Sequence, residues 1–147
     1  MARGRRKVLS CGAVVLRQTP QGWRFLLLRA FNHWDFPKGL VEEDEEPKQA
    51  ALREVCEETT LDDLVFPWGE EYFETGPYSR GKVARYYLAE TRRTDVAILP
   101  NPKTGSAEHM EFRWCSLAEA RRLAAPRVRE VIGWAATKID TAAASAE

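Results

Sequence analysis

Residues 47–58 read as a helix with two unlike sides, and such a helix needs an apolar layer to cover. Pro47 suits its first turn, where the missing N–H costs nothing. Ala51, Leu52, Val55 and Cys56 recur at helical spacing and form an apolar side. Glu54, Glu57 and Glu58 share another face, expected to lie opposite. The covering layer comes from β-branched and aromatic runs on either side. Residues 8–16 and 23–29 flank the turn-like Thr19-Pro20-Gln21-Gly22, so they read as a hairpin of buried strands. Residues 34–39 form a short extended piece. Residues 64–66 and 72–73 flank a break at Pro67-Trp68-Gly69, and residues 83–90 and 110–115 read as further strands. Gly76, Pro77 and Gly81 are expected to form a loop, as are residues 101–106.

Ser116 and Glu119 have capping-box spacing, which starts a helix; Pro126 ends that helix and opens a last one, expected to stop near Lys138. Residues 140–147 are Ala/Ser-rich without apolar period and are expected to form a disordered tail. There is no internal repeat. Strands before and after a central helix, with helices at the end, predict one α/β domain over residues 1–147: a central mixed β-sheet covered on both faces.

Composition narrows the partners. The 147 residues hold 22 Lys+Arg against 22 Asp+Glu, a net charge of zero, which argues against a protein that coats a polyanion or a solvating acidic tail. The zero is a cancellation between regions. Residues 42–58 carry eight acids against Lys48 and Arg53, a local charge of −6, while Arg3, Arg5, Arg6 and Lys7 form a basic N-terminal arm. A chain of this size buries about 70% of its unfolded surface, enough for a core without disulfide staples. Cys11, Cys56 and Cys115 have neither CxxC nor zinc spacing and read as reduced residues of a cytoplasmic protein. No run approaches the roughly 18 apolar residues of a membrane span, so no membrane partner is expected.

The acidic face carries the chemistry. Three carboxylates this close repel, and each resists ionising unless a cation sits among them. Hard oxygen donors suit Mg²⁺ or Mn²⁺, and magnesium prefers a few carboxylates together with substrate phosphates. An acidic helix face alone is usually only solvated. The frame around this one is more specific. Gly39, Glu45, Arg53, Glu54, Val55, Glu57, Glu58 and Leu61 all fall on the box G-x5-E-x7-R-E-U-x-E-E-x-G-U, with U apolar, and the chain therefore resembles the Nudix hydrolase family. Thr60 departs from it, standing where the box has Gly. A helix end there often needs a left-handed residue, which β-branched Thr adopts poorly.

The resemblance implies a Nudix-like α/β/α sandwich and a metal-dependent pyrophosphohydrolase in which water attacks a phosphorus. It implies Glu54, Glu57, Glu58 and the Gly39 carbonyl as metal ligands, with Glu108 as a further ligand or the general base. Arg53 and Glu45 would brace the loop and helix. The general base stays open among Glu108, Glu58 and Glu54. Three segments outside the box resemble the asymmetric diadenosine tetraphosphate hydrolases of that family: His33-Trp34-Asp35-Phe36-Pro37-Lys38-Gly39, residues 82–90, and Glu108-His109-Met110-Glu111-Phe112-Arg113-Trp114. On that basis Lys38, Lys82 and His33 would meet phosphate oxygens, and Tyr78 or Tyr86 would stack on a purine. The partner would be a nucleotide polyphosphate, bound by a monomer or homodimer. The W-x-F-P-K-G run also resembles decapping and RNA 5′-pyrophosphohydrolase members, for which the basic arm would grip RNA phosphates. A catalytically silent nucleotide sensor is the third reading, and the intact glutamates speak against it.

Overall fold

In a computed structural model the backbone is described for residues 8–78, 80–100 and 102–146, and side chains through residue 139, so the basic arm at residues 1–7 lies outside the described residues. Among the described residues, seven strands form one mixed sheet: β1 Val8–Thr19, β2 Gly22–Ala30, β3 His33–Asp35, β4 Lys38–Leu40, β5 Tyr72–Tyr78, β6 Lys82–Glu90 and β7 Glu111–Cys115. β1 and β2 form the expected hairpin, with Thr19 opposite Gly22. The order β3-β2-β1-β6-β5 is antiparallel except where β1 and β6 run parallel over the whole length of β6, from Val8↔Lys82 to Leu16↔Glu90. β7 adds to β2.

On its other edge β1 splits its partners. Its last four residues pair with β2, while Ser10, Cys11 and Gly12 pair with Leu40, Gly39 and Lys38 of β4. Only a residue without a side chain allows this insertion, because a Cβ on Gly12 would sit 2.0 Å from the Pro37 carbonyl oxygen. The parallel β1–β6 contact is therefore flanked by a short strand that leads straight into the acidic loop.

Helices cover both faces, as the α/β/α expectation requires. Helix α1, Pro47–Thr59, packs on one face through Ala50, Ala51 and Val55, with Ala13, Val15, Leu26, Leu28 and Leu61 buried around them. Helices α2, Leu117–Leu123, and α3, Pro126–Ala146, cover the other face over Val14, Leu16, Phe25, Leu27 and Tyr86. The capping box is formed: Glu119 N donates to Ser116 Oγ at 3.2 Å, and Ser116 N to Glu119 Oε1 at 3.3 Å.

Four expectations change. α3 does not stop near Lys138 but stays helical to Ala146, through the stretch expected as a disordered tail; Ala has the highest helix propensity and needs no apolar period to extend a helix already seated. Gly76-Pro77 is not in a loop but inside β5, at a register shift between Thr75 and Tyr78. Residues 64–66 contribute a single bridge, Val65 to Glu90, rather than a strand. The apolar side of α1 is rotated: Ala50, Ala51, Val55 and Thr59 are buried, whereas Leu52 is 37% exposed and Cys56 is exposed.

Candidate active site

That rotation places the acids. With the buried stripe centred on Ala51 and Val55, Glu54 and Glu58 flank it instead of lying opposite, and their side chains are only 15% and 10% exposed. β4 closes over them. A Cβ on Gly39 would lie 2.1 Å from the Glu54 carboxyl carbon, so the glycine's place in the box is a matter of contact with the acid it faces.

Arg53 organises the group from the side. Its Nε and Nη2 donate to the two oxygens of Glu45 at 2.7 and 3.0 Å, and Nη2 also donates to the Leu40 carbonyl at 3.0 Å. Nη1 donates to Glu54 at 2.9 Å and to Glu57 at 3.1 Å. Glu45 in turn accepts from Glu42 N at 3.0 Å. One guanidinium thus ties the loop, β4 and α1 together, and its bonds hold the Glu45 carboxyl below the usual range. The bracing pair inferred from the box is present.

Glu58 is the electrostatic anomaly. Burial, followed by the nearby charges of Glu54 and Glu108, pushes its carboxyl up to about 9, and Lys38 offsets only part of this. Its Oε2 is buried and has no hydrogen-bond partner among the described residues. Burial likewise raises Glu54 and keeps the imidazole of His109 neutral by lowering its pKa. Donor atoms of Glu58, Glu108 and His109 lie within 4.8 Å of one another, with His109 Nδ1 3.5 Å from Glu58 Oε1. Beside them a cavity of about 20 Å³ is lined by Glu54, Glu57, Glu58, Glu108 and His109, together with Leu99 and Pro102. An unpartnered buried carboxylate oxygen facing a cavity of ion size, among further carboxylates, fits a divalent cation.

A groove of about 710 Å³ opens from this cavity and is lined by Gly39, Glu54, Glu57 and Glu108 together with Lys38, Lys82, Lys103 and Arg127. The sequence-derived residues Lys38, Lys82 and Tyr78 therefore meet the acids in one place. Two others do not. His33 opens β3 as an exposed residue and lines neither cavity. Tyr86 is fully buried, edge-on to Phe36 at 5.9 Å between ring centres, so its ring is not offered to a base.

The Tyr86 hydroxyl belongs instead to a network that sequence reading missed. It donates to Asp35 Oδ1 at 3.0 Å and accepts from Arg127 Nη1 at 2.9 Å. Arg127 also donates to Thr75 Oγ1 at 2.9 Å and, through Nη2, to Asp35 Oδ2 at 2.7 Å; its guanidinium lies 4.4 Å from the centre of the Tyr78 ring. Nothing local announces Arg127, which follows the helix-opening Pro126 far from the box, and Asp35 falls on an unspecified position of the lead-in motif.

A family model for the NUDIX domain matches residues 6–135. The asymmetrical bis(5′-nucleosyl)-tetraphosphatase of Caenorhabditis elegans is 33% identical over 123 residues, 80% of this chain and 85% of that one. The enzyme of the same name from Sus scrofa is 34% identical over 127 residues, 78% of this chain and 83% of its own. The structure of a C. elegans Ap4A hydrolase binary complex superposes with a TM-score of 0.77 at 27% identity, covering 90% of this chain and 98% of that one. The fold, the acidic cavity and these matches agree, and the chain belongs to the Nudix hydrolase family.

Proposed function

We propose that this protein hydrolyses the phosphate chain of diadenosine tetraphosphate or a related dinucleoside polyphosphate. The observation that carries the reading is the groove itself: Glu54, Glu57 and Glu108 line it together with Lys38 and Lys82, in about 710 Å³, room for several phosphates beside the acids. The named relatives support the choice of substrate class within the family.

Glu54, Glu57, Glu58 and Glu108 would hold Mg²⁺ or Mn²⁺, with the Gly39 carbonyl adjacent. When bound, such an ion neutralises phosphate oxygens and acidifies water. The remaining work falls to the chain. Arg53 fixes Glu54 and Glu57 in orientation through its Nη1. Lys38 and Lys82 neutralise phosphate oxygens that no ion covers. A carboxylate at the ion-sized cavity, Glu54, Glu58 or Glu108, accepts the proton of the attacking water. Tyr78 lines the groove with Arg127 against its ring, and would be the aromatic group that meets a base.

The test is incubation with diadenosine tetraphosphate and, separately, with triphosphorylated RNA, each with Mg²⁺ and with Mn²⁺. Release of AMP and ATP from the dinucleotide is expected. Cleavage of RNA alone would overturn the proposal in favour of the RNA pyrophosphohydrolase reading, and cleavage of neither would favour a sensor.

A further inference from the structure

The partly buried network of Asp35, Tyr86 and Arg127 ends on Lys38. Asp35 Oδ1 accepts from the Tyr86 hydroxyl at 3.0 Å and from Phe36 N at 2.7 Å. Asp35 Oδ2 accepts from Arg127 Nη2 at 2.7 Å, while Lys38 Nζ stands 3.9 Å from that same oxygen. Two cations thus compete for one carboxylate oxygen, and Arg127 holds it at hydrogen-bond distance. Asp35 and Lys38 are three residues apart across the Phe36-Pro37 link and only 20% and 24% exposed. With so little solvent, an Asp35 carboxylate lacking Arg127 would draw the ammonium in.

We propose that Arg127 is a positioning residue: by occupying Asp35 Oδ2 it keeps Lys38 released toward the groove, available to a substrate phosphate. Its other bonds fit this role. Nη1 is fixed on Thr75 and Tyr86, and the guanidinium plane lies over Tyr78, so its hydrogen-bonding fork is directed mainly into the protein. Arg127 therefore acts on the phosphate chain mostly through Lys38. The inference deepens the proposed function, since it assigns the charge arrangement of that same groove.

The decisive comparison is between Arg127→Gln and the double variant Arg127→Gln/Asp35→Asn. Arg127→Gln leaves Asp35 charged and open, so Lys38 is captured. An isolated ion pair of this kind is expected to raise KM for diadenosine tetraphosphate, and Kd for a methylene-bridged analogue, about tenfold while kcat moves less than about threefold. Removing the Asp35 charge in the double variant releases Lys38 and brings Kd back to within about threefold of the wild type. A purely structural role for Arg127 predicts the reverse, because the second substitution breaks more of the network. A double variant that binds no better than Arg127→Gln therefore overturns the proposal, as does an Arg127→Gln that binds like the wild type.

A second measurement needs no substrate. Acetylation of Lys38 by acetic anhydride, followed by peptide mass spectrometry, should slow several-fold in Arg127→Gln and recover in the double variant, because a captured ammonium is a poorer nucleophile. Thermal melts confirm that each variant is folded. If the wild type ignores dinucleoside polyphosphates but Lys38 reactivity follows this pattern, the proposed function fails and the positioning role stands. If Lys38 reactivity is unmoved while cleavage is seen, the positioning role fails alone.

Discussion

Thr60 offers a direct test of the backbone reasoning. It caps α1 in the left-handed region, with φ 69° and ψ 1°, and its N–H donates to the Cys56 carbonyl at 2.9 Å. This is the conformation for which the family box has Gly. An L-residue pays about 1–2 kcal/mol in that region, and β-branching adds crowding. Glycine avoids this cost but loses more freedom on folding, about 0.5–1 kcal/mol. Among the described residues, the side chain that Thr60→Gly removes bonds to the neighbouring Thr59 carbonyl alone, while the Arg93 Nη1 bond at 3.0 Å reaches the Thr60 carbonyl, which survives. The net expectation is a gain of about 0.5–1 kcal/mol, a rise of roughly 1–4 °C in Tm for a domain of this length. Urea denaturation followed by tryptophan fluorescence should show a higher midpoint with an unchanged slope. Thr60→Asn should fall between the two, since Asn tolerates this region better than Thr. A Thr60→Gly protein less stable than the wild type would refute the assignment of strain to this cap.

Three further outcomes follow from the site. Without divalent ions, the Glu58 carboxyl pushed up to about 9 keeps a proton that the unfolded chain releases near pH 4.5, so stability should fall as pH rises between those values. At pH 7.5 the loss is about 4 kcal/mol, three pH units at 1.36 kcal/mol each. Glu58→Gln should remove most of that slope in chelator-containing melts; an unchanged slope would place its origin elsewhere. Glu57→Gln should lower kcat/KM on the order of 10²-fold or more while Tm barely moves, because it removes charge at the cavity edge rather than core volume. Arg53→Lys should destabilise by about 1–2 kcal/mol and also lower kcat/KM, since a single ammonium cannot reproduce the bonds to Glu45, Glu54, Glu57 and the Leu40 carbonyl; denaturant melts alongside kinetics read both.

Local patterns in the sequence were enough to locate the β1–β2 hairpin, the start of α1 at Pro47 and the Ser116 capping box, because each depends on residues a few positions apart. The acids of the box were legible for the same reason. Their burial was not. The apolar count favoured Leu52 and Cys56, but whichever arc of α1 meets the sheet is decided by β4, whose insertion beside β1 brings Gly39 against Glu54. Tyr86 shows a similar limit: alternation puts it on a strand face, and only the packing of α3 over that face makes it core. Arg127 lies 92 residues from the Asp35 it binds, and a pairing of that kind leaves no short-range trace. The continuation of β5 through Gly76-Pro77 depends on its neighbour β6, which the turn-like dipeptide does not reveal.

The double use of β1 bears on how the groove responds to its contents. One edge of this strand carries Lys38 and Gly39 through β4, and the other carries Lys82 through β6, each tied by backbone hydrogen bonds to residues between Val8 and Gly12. The two cationic walls and the acid-bearing loop are thus mounted on a single backbone segment, with no hinge between them. Such a groove behaves as a gauge of fixed width. On the proposed function, phosphate chains too short to reach from the carboxylates to Lys82 would lose contacts outright, because the walls share one backbone segment. Discrimination by chain length would then show as a step in affinity, and the amides of β1 should be among the slowest to exchange with solvent whether or not the groove is filled.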